Sequence, residues 1–141
     1  MTKLETVQAF FDAYNQHQTD AMLACFSSDA MFEYVPYGEQ GKGKIYESAA
    51  GIWGMFTDAF PDFTVQVGTV TETADGRVVA ETVNGGTQAK DVMGIQNKGL
   101  SQHVPHVFFF KFGADNLITN LKAYWDNNSI YTQLKHTEVH A

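Results

Sequence analysis

Basic residues are scarce in this chain: nine Lys and Arg against sixteen Asp and Glu leave a formal charge of −7, and the nine are scattered rather than clustered. A surface without a positive field offers nothing to a polyphosphate backbone, which sets nucleic acid aside as a partner. Cysteine is almost absent. The lone Cys25, in Leu23-Ala24-Cys25-Phe26, has no internal disulfide partner and reads as a small buried hydrophobe rather than a nucleophile. No stretch approaches the roughly 20 consecutive apolar residues of a bilayer span. The opening Met1-Thr2-Lys3-Leu4-Glu5 lacks the apolar centre of a secretory signal, so a cytoplasmic protein without a membrane partner is expected. Internal repeats, linkers and low-complexity tracts are missing too. A length of 141 residues then implies one domain, 1–134, followed by a polar tail, 135–141.

What is present in quantity is aromatic: eleven Phe, six Tyr and two Trp, more than a minimal core requires and suited to the walls of an apolar cavity. Val7, Phe10, Phe11 and Tyr14 recur at helical spacing behind a Thr2-x-x-Glu5 capping box, and Thr19 or Asp20 is placed to cap a short second helix that carries Phe26 and stops at Ser27-Ser28-Asp29. A strand over 31–35 follows. The Gly38–Gly43 stretch, with no Gly-Lys-Thr ending, reads as a flexible rim rather than a phosphate cradle. Ile45, Ala49, Ile52, Trp53, Phe56 and Phe60 then lay one aromatic stripe along a third helix that Pro61 ends.

From Phe63 the period becomes two. The pattern predicts a hairpin turning at Asp75-Gly76, a second with strands 104–112 and 117–125, bends or bulges in the strands at the glycines 85, 86, 94 and 99, and a last helix capped by Asp126 or Asn127. Helices gathered early and strands late make an α+β domain.

The element order and several phrases resemble the nuclear transport factor 2-like superfamily, in particular its SnoaL-like polyketide cyclase and ketosteroid isomerase branches. The phrases are Ala59-Phe60-Pro61-Asp62-Phe63, Gly86-Thr87, Val104-Pro105-His106-Val107-Phe108-Phe109-Phe110 and Ala123-Tyr124-Trp125-Asp126 with Gln133-Leu134 behind it. The resemblance implies a cone: a curved mixed sheet wrapped around three N-terminal helices, enclosing an apolar pocket for a small hydrophobic ligand, commonly in a homodimer. It also implies a role for Tyr14 as the phenol that donates to an oxyanion. It places Tyr34 where the isomerases carry a base carboxylate, unless Glu33 takes over after a one-residue shift. Phe108 falls near their protonated acid, and Phe108 and Ala123 near the cyclase His and Asp pair, so neither set is complete.

Alternation along the strands decides which side chains meet inside. Val104, His106, Phe108 and Phe110 share one face of their strand. Leu121, Ala123 and Trp125 share the apolar face of the next, opposite Asn120, Lys122 and Asp126. His106 is then the one titratable group among aromatic rings, where burial favours the neutral imidazole that can act as a base; a core histidine bonded to backbone or water is the alternative. Trp53, Phe56, Phe108, Phe110, Leu121 and Trp125 are the expected ligand contacts. Asp126 borders the mouth, as a catalytic group or a helix cap, while Asp58 and Asp62 suit the surface. His103 and His106 fall on opposite strand faces and His136 and His140 in the tail, so no metal is expected, nor any cofactor. Two functions stay open: a cofactor-free isomerase or cyclase moving a proton on a small hydrophobic carbonyl compound, with His106 as base and Tyr14 or Tyr34 as donors, or a non-catalytic binding protein or adaptor, dimeric through an outer sheet face bearing Val107, Phe109 and Tyr124.

Overall fold

Thr2 starts the first element. Its hydroxyl accepts from the Glu5 amide at 3.1 Å while the Glu5 carboxylate accepts from the Thr2 amide at 2.9 Å, which closes the capping box of α1, Lys3–Asn15. The computed structural model describes residues 1–136. Val7, Phe10, Phe11 and Tyr14 form the buried stripe of α1.

The second helix, α2, is Thr19–Leu23, shorter than the sequence suggests, and its N-cap residue is Gln18, without a side-chain cap bond. Phe26 opens β1, Phe26–Tyr34, instead of ending the helix. The backbone is captured there because the Ile118 amide donates to the Cys25 carbonyl at 2.9 Å. Ser27, Ser28 and Asp29 fall where the pairing of β1 with β6 shifts register, between Phe26 and Met31, so these polar residues bulge from a strand rather than break a helix.

A 3₁₀ segment, Val35–Gly41, leads from β1 into β2, Lys42–Lys44, which pairs with the end of β1. The glycine-rich rim thus supplies a strand that its sequence concealed. One π-helical turn, Ile45–Ala49, precedes α3, Ala50–Ala59, which stops before Pro61 as expected. The two hairpins follow: β3, Thr64–Glu72, with β4, Val78–Thr87, and β5, Ser101–Phe112, with β6, Ile118–Trp125. Asp126 caps α4, Asn127–Gln133.

The six strands form one curved, open, mixed sheet in the order β2-β1-β6-β5-β4-β3, antiparallel except for the β1–β6 pair, and the α+β assignment holds. Gly85 and Gly86 do sit inside β4, where a Cβ on the first would run into the Gln102 carbonyl and on the second into Asp62 and Phe60. Gly94 and Gly99 do not bend strands. They occupy the 88–100 connection, with φ of 73° and 67° that favour glycine.

The helices cover one face of the sheet. Phe10 is the centre of that layer, with the rings of Phe11, Tyr14, Phe26, Trp53 and Phe110 all between 5.3 and 6.1 Å from its own. Of the polar tail, His136 is tied back, its amide donating to the Tyr131 carbonyl at 2.9 Å and its ring 4.9 Å from Tyr131. Residues 137–141, with His140, lie outside the described residues. Among the described residues no helix is long and apolar enough to cross a membrane.

Candidate functional site

Burial along β5 alternates as its sequence requires: Gln102, Val104, His106, Phe108 and Phe110 are buried beneath the helices. On β6 Leu121 and Ala123 do the same, and Trp125 is partly buried at the strand's end. Direct pairing of His106 with Trp125 across the ladder then stacks imidazole on indole at 4.7 Å and 17°. Phe108 covers the imidazole at 5.8 Å and 15°.

The chemistry of His106 follows from that sandwich. Its Nδ1 lies 2.8 Å from the Val104 carbonyl oxygen, which only accepts, so Nδ1 carries the hydrogen and Nε2 holds a free lone pair. Burial is the dominant influence and drives the pKa down from 6.5 to about 4, against the bond to Val104, which raises it. At neutral pH the ring is an uncharged acceptor.

His106 lines a small hollow together with Tyr14, Tyr34, Asn84, Gln102 and Trp125. Tyr34, not Glu33, faces inward; Glu33 turns out to within 3.7 Å of Lys122. The Tyr34 hydroxyl accepts from Trp53 Nε1 at 2.7 Å, which leaves its own hydrogen to give. Tyr14 stacks on Phe63 at 5.1 Å, and its hydroxyl has no partner among the described residues. Burial raises the pKa of both phenols, so both are neutral donors.

Two buried amides in this set were not singled out from sequence. Asn84 Oδ1 accepts from the Thr82 hydroxyl at 2.6 Å, and Gln102 Oε1 is buried without a partner. The signal was there in the alternation of β4: Val78, Ala80, Thr82 and Asn84 share one parity, and two polar residues at inward positions are uncommon. An unsatisfied buried polar group costs about 1–3 kcal/mol, so this corner gives up stability that an apolar lining would keep.

The other residues singled out from sequence fall elsewhere. Phe56, Phe108 and Trp125 line the hollow, whereas Trp53, Phe110 and Leu121 lie in the packed core and do not. Asp126 accepts from the amides of Asn128 at 3.0 Å and Ser129 at 3.3 Å as the cap of α4. Asp58 pairs with Lys90 at 2.9 Å on the surface. Asp62 accepts from the Thr87 amide at 2.6 Å, a bond that lowers its pKa. Among the described residues no three His, Cys, Asp or Glu side chains gather to hold a metal ion.

The hollow is nearly full. About 20 Å³ is open to the centre of a water molecule, room for roughly one water. Tyr37 packs on two of the lining residues, its ring 5.3 Å from Trp125 and 6.5 Å from Phe56. Met93, in the 88–100 connection, is tied to Tyr37, whose hydroxyl donates to its sulfur at 3.2 Å, and to Tyr131, whose hydroxyl donates to its carbonyl at 3.2 Å. The opposite face of the sheet is open, with a groove of about 1020 Å³ floored by Val107, Phe109 and Tyr124.

Comparison with known proteins agrees with this architecture. The SnoaL-like domain model matches residues 7–121. A candidate polyketide cyclase from Xanthomonas campestris pv. campestris is 25% identical, with a TM-score of 0.81 over 94% of this chain and 96% of that one. IdmH from Streptomyces antibioticus, a candidate polyketide cyclase, is 21% identical, with a TM-score of 0.81 over 96% and 99%. A protein of ketosteroid isomerase-like fold from Catenulispora acidiphila, in complex with trimethylamine, is 19% identical, with a TM-score of 0.76 over 94% of each chain. No curated protein matches the sequence.

Proposed function

The chain belongs to the SnoaL-like domain family, and from that premise we propose that it catalyses proton transfer on a small, neutral, enolisable carbonyl compound, in an isomerisation or a ring closure. The observation that carries this proposal is His106: a buried imidazole whose tautomer is fixed by Val104 and whose free nitrogen is an acceptor, within a lining that also holds two neutral phenols. Among the described residues the lining contains no Asp, Glu, Lys or Arg, so a carboxylate or phosphate on the ligand would be stranded without a counter-charge. Two of the similar structures named above are, by name, candidate polyketide cyclases.

In the proposed step the proton on the carbon beside the carbonyl passes to His106 Nε2, the electron pair of that C–H bond becomes a C=C bond, and the carbonyl π pair moves onto the oxygen. Tyr14 or Tyr34 donates to the oxygen as its charge grows. The imidazolium then returns the proton to the substrate, and no cofactor enters the balance. A conjugate-acid pKa near 4 does not disqualify the base, because a carboxylate of about 4.6 serves in a comparable carbon-acid reaction when the enolate is well held. A ligand of drug size needs a pocket of at least about 300 Å³, so the aromatic walls of the hollow must part to admit it.

The test is exchange of the α-protons of 2-tetralone into heavy water, followed by NMR. Wild type accelerates the exchange, and His106→Gln lowers the protein-dependent rate at least a hundredfold. Equal rates for the two proteins would end the mechanism.

A second function, a dimeric adaptor or carrier, is favoured by one observation: the inner hollow is nearly filled while the outer face of the sheet carries a broad groove with an apolar floor and charged residues, among them Glu33, Arg77 and Lys122, in its lining. A second copy of the chain is the proposed occupant of that face, where Tyr124 is 42% exposed beside Phe109. Exposed aromatic surface of this extent is costly to leave wet.

A further inference from the structure

The phenols are not the only donors at the hollow. Thr82 and His106 face each other directly across the β4–β5 ladder, and Asn84, two residues further on, faces Val104. Strand alternation puts all four on the inward side, so Asn84 is the diagonal neighbour of His106, about 7–8 Å away between backbones. The amide oxygen of Asn84 is turned toward Thr82, whose hydroxyl donates to Oδ1 at 2.6 Å. Its Nδ2 hydrogens therefore point to the other side of the side chain, and they have no acceptor among the described residues. Asn84 is only 4% exposed, and it lines the same hollow as His106.

A buried amide with its oxygen occupied and its hydrogens unspent is a receptor for a hydrogen-bond acceptor. We propose that Asn84 Nδ2 receives the carbonyl oxygen of the ligand, and that Thr82 is the positioning residue that aims it. The pair divides the work with His106: one end of an O=C–C–H unit rests on the amide, and the other presents its proton to Nε2. The donor is in place before charge develops, which is the condition under which such donors act on a transition state. This rests on the small neutral carbonyl ligand proposed above, and it adds the residue that selects for the carbonyl group. It also accounts for a threonine and an asparagine at inward positions of β4, where Val78 and Ala80 are the pattern.

Two probes separate the carbonyl from the rest of the ligand: 2-acetylnaphthalene and 2-ethylnaphthalene, of nearly the same shape, followed by quenching of tryptophan fluorescence. Wild type is expected to bind the ketone about tenfold more tightly than the hydrocarbon, the worth of one well-made hydrogen bond. Asn84→Leu and Thr82→Val should each abolish that preference while leaving the hydrocarbon's Kd within about twofold, and Thr82→Ser should restore it. A preference that survives in Asn84→Leu overturns the assignment of Asn84 and leaves the ligand class standing. A preference lost in Asn84→Leu but intact in Thr82→Val overturns the positioning role. Should Asn84→Leu weaken both probes through misfolding, Thr82→Val against Thr82→Ser decides. Failure of wild type to bind either probe removes the neutral-ligand site altogether, and this proposal with it.

Discussion

Replacing His106 by Gln probes the site without any knowledge of its ligand. In the unfolded chain the imidazole titrates at its ordinary 6.5, and in the folded protein burial holds it at about 4. Between those values the unfolded state binds a proton that the native state refuses, so the native state gains stability as pH rises. The contribution is fully present above pH 6.5 and is lost as pH falls toward 4. A fall of about 2.5 in pKa, at about 1.4 kcal/mol each, sets a ceiling near 3.4 kcal/mol. Integration of the two titrations gives about 2 kcal/mol lost at pH 5 and about 3 kcal/mol at pH 4. Carboxylates titrate over the same range, so the quantity to measure is the difference in unfolding free energy between wild type and His106→Gln, in which they cancel. Urea denaturation at pH 7, 5 and 4 should show that difference shifting against wild type by about 3 kcal/mol. Histidine ring NMR should show His106 neutral, with the hydrogen on Nδ1, down to about pH 5. A wild-type to variant difference that stays constant from pH 7 to 4, or an NMR titration near 6.5, would refute the burial argument and leave an ordinary solvated imidazole.

Trp53→Phe should destabilise the fold by about 2–3 kcal/mol in urea unfolding, because it leaves a cavity and strips the Tyr34 hydroxyl of its 2.7 Å donor. Asp126→Ala should cost about 1 kcal/mol through the lost cap while tetralone exchange stays at the wild-type rate; a collapse of exchange at unchanged stability would make Asp126 catalytic after all. Phe109→Glu places a charge in the outer groove, and sedimentation equilibrium should then find monomers, against the dimer proposed for wild type.

Much of the fold was legible because its signals are local and periodic. The capping box at Thr2, the stripe of α1, the stop at Pro61, the Asp75-Gly76 turn and the Asp126 cap each depend on residues within one or two turns of one another. What sequence hid depends on partners far away. Phe26 leaves its helix because Ile118 reaches for the Cys25 carbonyl, and Lys42–Lys44 becomes a strand because β1 offers it an edge. Gly94 and Gly99 looked like strand bends because the 88–100 connection is long and its one short bridge, Val92 to Ile95, gives no pattern. At the site the same division holds. Parity alone put His106 against Trp125. The occupied Asn84 oxygen and the filled hollow are matters of packing, and no periodicity announces them.

An interior built only for stability would satisfy its polar atoms or replace them. Among the described residues one buried oxygen without a partner, Gln88 Oε1, lies away from the hollow, and the rest of the spare capacity gathers there. Around Phe10 the rings of Phe11, Phe26 and Phe110 are apolar, while the unspent groups of Tyr14, Asn84, Gln102 and His106 line one hollow beside β4 and β5. The near absence of free volume there fits a ligand site in its closed state: aromatic walls pressed together keep water from spending that capacity. A ligand would trade the ring contacts of those walls for its own, and find donor and acceptor already placed. The cost of entry is then borne by exchangeable aromatic contacts, while the polar set, held by the backbone ladder and by Thr82, has no need to move.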